Sequence, residues 1–201
     1  MMSWAIWARR AARAFGGGGS ILPDVIAFLL MSNFRKTSRN SFFDNIFRDS
    51  VSPGIGSVIL CDLSPIPGLS IFDLNVEHTG IYVGDGKIIH RTGEYGGKIE
   101  EITPSIFLDR LGGKNFAVSI YVACSGKTPI NIINASTRAK LALKNSVYDG
   151  YDLLKKNCHH FTRYCITGDL DRSLLDFTFY SLQQLLIDDF GLDNWRVWNY
   201  E

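Results

Sequence analysis

The sequence predicts an α+β domain in which a small antiparallel sheet is packed with helices. Three observations carry that expectation. Short apolar runs rich in β-branched residues fill the first half, and two of them flank Gly84-Asp85-Gly86. From about residue 130 the apolar residues recur every third or fourth position instead. Strands first and helices afterwards is the order of an α+β fold rather than of alternating βα units. A chain of 201 residues suits one such core with short extensions. The expected division is an N-terminal extension over 1–45, a main domain over 46–175, and a C-terminal helix with an aromatic tail over 176–201.

The elements follow in order. Pro53-Gly54 leads into GSVILCDL (56–63), a short apolar run that reads as a strand. A loop over 62–73 holds Pro65, Pro67 and Gly68. VEHTGIYVGDGKIIHRTG (76–93) is the strongest hairpin signal in the chain, with its turn at Gly84-Asp85-Gly86. AVSIYVAC (117–124) reads as a further strand. Ile132, Ala135, Ala139, Ala142 and Leu143 share one helical face, which predicts an amphipathic helix over 130–145. A second helix is expected to start near Asn157, a favoured N-cap, and a third to cover about 173–190 before Gly191.

The first thirty residues stand apart. MMSWAIWARRAARAF carries Arg9, Arg10 and Arg13 with no acid before Asp24, followed by GGGGS and ILPDVIAFLLM. An extension ahead of a second possible start at Met31 is the plainer reading, and a basic amphipathic helix on anionic lipid is the sharper one. A secretory signal fits poorly, because the charges follow the first apolar residues and no small-residue cleavage site is evident. No apolar run reaches the 18 or so residues of a membrane span.

Composition narrows the function classes. A hydrophobic fraction of 46% with 20% charged residues is that of a globular protein, and a net charge of +1 leaves no electrostatic footprint for nucleic acid. Cys61, Cys124, Cys158 and Cys165 form no C-x-x-C pair, so a reducing, cytoplasmic setting is the simpler expectation, with peripheral membrane contact as an addition to it. Cys158 and Cys165, if on one helix, lie roughly 10 Å apart along its axis, too far for a disulfide.

KKNCHHF (155–161) places a thiol beside two of the four histidines. A cysteine in the first turn of a helix capped by Asn157 meets the positive end of the helix dipole, which favours the thiolate, and the same N–H groups could hold an oxyanion. Successive helical residues point about 100° apart, so His159 and His160 are poor bases for Cys158 and are expected to pack or be solvated. A base must then come from His78 or His90, on either side of the hairpin turn. An ideal two-residue turn at Asp85-Gly86 would pair 84 with 87 and send the two histidines to opposite faces. A three-residue loop, or a bulge at Gly80 or Gly84, would let them share one. Such an irregularity is expected here.

Blander readings stand beside these. A free cysteine is usually a small buried hydrophobe, the expected role of Cys61, Cys124 and Cys165, and a histidine is often a satisfied core residue. Cys158, His78 and His90 could supply three zinc ligands, but the usual local spacings are missing and no nearby carboxylate stands out, so neither metal nor cofactor is expected. Trp195 and Trp198 in NWRVWNYE could serve a partner or lipid surface or pack onto the domain.

EHTGIYVGDGKIIH (77–90), followed by YDLLKKNCHHFTRYCITG (151–168), resembles the lecithin:retinol acyltransferase family, with its histidine before a GIYVGDG-like hairpin, second histidine after it, and Asn-Cys-Glu-His-Phe motif. PGIGSVI (53–59) resembles the family's lead-in strand, so the likeness spans roughly 53–175. The resemblance implies a circularly permuted relative of the papain-like, NlpC-type thiol hydrolase fold. It further implies Cys158 as nucleophile, His78 as general base and His90 as the third, orienting group. Acyl-thioester chemistry on phospholipid or other lipid acyl groups follows from the same likeness, as transferase or hydrolase. A peptidase or amidase using the same residues, and a non-catalytic binding module keeping the fold, are the alternatives. This chain departs from the pattern at His159, where the family has glutamate, and at Gly56, where the lead-in often has aspartate. Residues 174–190, with Asp176, Asp188 and Asp189, do not resemble the C-terminal membrane anchor of the animal members.

Overall fold

The computed structural model describes residues 50–63, 76–93, 97–109, 119–145, 157–170 and 179–200. The expected N-terminal extension, most of the loop over 62–73 and the start of the third expected helix lie outside these residues. Seven strands form one antiparallel sheet: β1 (Val58–Leu63), β2 (Val76–Gly84), β3 (Lys87–Arg91), β4 (Ile99–Ile102), β5 (Ile120–Ser125), β6 (Thr128–Pro129) and β7 (Asn194–Val197). Their order is β4-β3-β2-β1-β5-β6, with β7 also paired to β5. The described helices are α1 (Pro104–Leu108), α2 (Ile133–Asn145), α3 (Cys158–Thr167) and α4 (Phe179–Phe190). The architecture is α+β, as expected.

β1 shows why the sheet is central. Val58 and Leu60 point into a core completed by Ala135, Ala139, Phe161, Leu182 and Leu186 of α2, α3 and α4. Ile59 and Cys61 point the other way, into a second core with Phe107 and Leu108 of α1 and with Trp198. A strand covered on both faces needs a continuous apolar run instead of alternation, and VILC supplies it. Small residues face the sheet from α2, which lets its backbone lie close. Arg138 of α2 donates through Nη1 to the carbonyls of Cys165 and Ile166 at 2.9 and 2.8 Å, satisfying acceptors that the end of α3 leaves over.

Four elements were not anticipated. β4, β6 and α1 are too short and too mixed in pattern to stand out. β7 is the aromatic tail itself: Asn194–Val197 pair with Tyr121–Cys124, and Trp195 and Trp198 are both buried. β7 overlaps on β5 with residues that also pair with β1 and β6, so it occupies the opposite flank of β5. Packing rather than an exposed contact surface is therefore the role of both tryptophans.

Candidate functional site

The β2–β3 hairpin carries the irregularity that parity requires. Asp85 and Gly86 have φ of 51° and 66°, the left-handed pair of a type I′ turn, and Gly84 pairs with Lys87. One step further the register shifts, because Tyr82 faces Ile88 and Val83 is left as the extra residue. The bulge sits beside Gly84, one of the two expected places. It moves His90 opposite Gly80 instead of Ile81, two residues from His78 and on the same face.

Gly80 makes that proximity usable. A Cβ there would stand 2.8 Å from Ile88 Cγ2 and 3.0 Å from His90 Cβ, so only glycine leaves the His90 ring room beside β2. The rings meet edge to face, and His78 Nε2 lies 2.9 Å from His90 Nδ1. Phe107 of α1 packs against both, with ring centroids at 5.1 Å from His78 and 5.7 Å from His90. Beyond His90 stands Glu100 of β4, its directly opposite cross-strand neighbour, with Oε1 3.2 Å from His90 Nε2. Glu100 Oε2 in turn lies 3.8 Å from Lys98 Nζ.

Cys158 opens α3. Asn157, in extended conformation, caps the helix, and its Oδ1 accepts from the His160 N–H at 3.0 Å. The helix itself supplies no acceptor for the N–H groups of Cys158 and His159. The Cys158 thiol makes a long contact of 3.9 Å with the carbonyl oxygen of Glu77, the residue before His78. The pairing of β2 with β3 ends at Gly80, whereas its pairing with β1 continues to Val76, so the thiol meets β2 where β3 no longer covers it. The body of α3 packs on the face opposite the histidines: Thr79 Oγ1 lies 3.2 Å from His159 Nδ1 and 3.0 Å from Thr162 Oγ1. The thiol thus stands at the rim between the two faces, against strand backbone.

His159 and His160 are buried. Burial pushes the His159 pKa down from 6.5 to about 4, against the opposing pull of Glu77, so His159 is neutral near pH 7 and brings no positive charge to the helix start. The other three thiols are fully buried in the two cores. Burial raises Cys124 to about 11 and Cys165 well above the ordinary thiol range.

Sequence reasoning placed Cys158, Asn157, His78 and His90, and the fold gathers them around one stretch of β2. It missed Glu100. No local signal in KIEEI distinguishes Glu100 from Glu101, and only the β3–β4 register puts one of them opposite His90.

Comparison with curated proteins and with solved structures finds no match. The model of the lecithin retinol acyltransferase family, by its name and general chemistry a family of acyltransferases, matches residues 64–171, from just after β1 to just past α3. With more than half of its length matched, and with the paired histidines and the helix-capping Asn-Cys step inside the match, the chain belongs to the lecithin retinol acyltransferase family.

Proposed function

We infer that this protein is a cysteine-dependent acyltransferase or hydrolase that works through an acyl-thioester on Cys158. The observation that carries the reading is the 2.9 Å contact between the His78 and His90 rings, one residue along β2 from the carbonyl that meets the Cys158 thiol. In the reaction, His78 takes the thiol proton and the sulfur attacks the carbonyl carbon of an ester or amide. The N–H groups of the first turn of α3 then stabilise the oxyanion. Collapse of the tetrahedral species expels the alcohol or amine, which leaves with the proton held by His78. Water, an alcohol or an amine next gives its proton to His78 and attacks the thioester, regenerating the thiol. His90 orients the His78 ring throughout. Family membership supports lipid acyl groups as donors, and the chain order, histidine strands ahead of the thiol helix, supports a permuted relation to the NlpC-type hydrolases.

The test is to trap the intermediate. The full chain is mixed with a fatty-acid p-nitrophenyl ester, quenched in acid and digested, and the acylated peptide is read by mass. We expect the acyl group on Cys158, none in Cys158→Ala, and a rate lower by about 10²–10⁴ in His78→Ala. Alkylation across a range of pH provides a second reading, in which Cys158 reacts fast near neutrality and slows in His78→Ala. A Cys158 that neither acylates nor alkylates faster than an ordinary thiol sinks the proposal.

A further inference from the structure

Glu100 has no part in the acyl-transfer steps above, yet its carboxylate meets the buried ring of His90. The geometry points to Glu100 as a positioning residue that sets the tautomer of both histidines, so that the unprotonated nitrogen of His78 is Nδ1. This inference rests on the reading of His78 as the base.

An ionised carboxylate only accepts, so at 3.2 Å the His90 Nε2 carries hydrogen and donates to Glu100 Oε1. A neutral His90 then presents a lone pair at Nδ1. That atom faces His78 Nε2 at 2.9 Å, a separation at which one of the two nitrogens must donate, so the hydrogen sits on His78 Nε2. The remaining nitrogen of His78, Nδ1, holds the lone pair that a base needs. With no acceptor at Nε2, His90 is free to carry its proton at Nδ1 and donate to His78 Nε2. The His78 proton would then move to Nδ1 and block the base. When His78 takes a proton during reaction, the Glu100 charge lies one ring beyond, connected through His90.

Three features make Glu100 suited to this. It is the directly opposite cross-strand neighbour of His90, so backbone register holds it in place. His90 is fully buried under Phe107 whereas the Glu100 side chain is 31% exposed, so the carboxylate keeps partial hydration while its Oε1 serves the buried ring. Lys98 engages the other oxygen, Oε2, at the surface.

The experiment reads tautomers directly. Long-range proton–nitrogen NMR spectra of the full chain, labelled with ¹⁵N-histidine, separate protonated from unprotonated ring nitrogens at neutral pH. We expect His78 and His90 both protonated at Nε2. Glu100→Ala should populate Nδ1–H at His78 and slow Cys158 acylation about tenfold or more, mainly in kcat. Glu100→Gln, whose amide oxygen still accepts from Nε2, should restore most of the tautomer and much of the rate. A wild-type spectrum with His78 protonated at Nδ1 overturns the inference without any variant, and so does a Glu100→Ala protein with unchanged tautomers. The spectra need no turnover. Tautomers as expected on a chain that forms no acyl-enzyme would therefore leave the Glu100 role standing and overturn the acyl-transfer reading instead.

Discussion

His159 sits at the second position of α3, where the family pattern resembled by this segment has glutamate. Its ring is buried against Thr79 and Phe179, and burial holds its pKa near 4. A histidine harder to protonate folded than unfolded makes the unfolded state bind more protons between those two values, so stability falls as pH drops from about 6.5 to 4. The shift corresponds to about 3 kcal/mol across that window. Urea unfolding of wild type and His159→Asn at pH 7 and pH 4 should show the variant losing less stability on acidification by roughly that amount. Equal losses would mean that His159 is protonated as readily folded as unfolded.

In the β2–β3 hairpin, two local features and one distant one combine. The type I′ turn at Asp85-Gly86 could be read from the residues, because both central positions need positive φ. The need for a bulge could be derived, because a regular hairpin would separate the histidines. Which of the two expected places it takes, beside Gly84 rather than at Gly80, could not be derived from local residues; Tyr82 and Ile88 beside it pack into the second core, Tyr82 against Trp198. Gly80 is the element's weak point. Gly80→Ala inserts a methyl into space already held by Ile88 and His90, and overpacking of this kind costs about 1–3 kcal/mol. We expect a lower urea midpoint together with loss of the His78–His90 hydrogen bond, seen as altered ring nitrogen shifts and slower Cys158 acylation. A variant with lower stability but unchanged histidine signals would show that the rings meet without the clearance Gly80 provides.

For the molecule as a whole, the C-terminal strand ties the site to the rest of the sheet. β7 pairs with β5, β5 with β1, and β1 with the histidine strand β2. Trp195 on β7 is among the largest fully buried side chains and packs against Phe179 of α4, which in turn meets His159. Trp195→Ala should therefore cost about 3–5 kcal/mol, read as a fall in the urea midpoint. A change near zero would return the tail to the role of an exposed surface. Among the described residues no helix is long and apolar enough to cross a membrane.

The helix beginning at Asn157, the hairpin turn, the apolar run of β1 and the small-residue face of α2 follow from sequence, because each rests on residues within one or two turns or strand steps of one another. The face on which His78 and His90 meet, the placement of Glu100 rather than Glu101 at their end, the neutrality of His159 and the conversion of NWRVWNYE into a buried strand come from the assembled fold. Each depends on strand register and burial between segments distant along the chain, and a contact of that kind leaves no mark in the local spacing of residues.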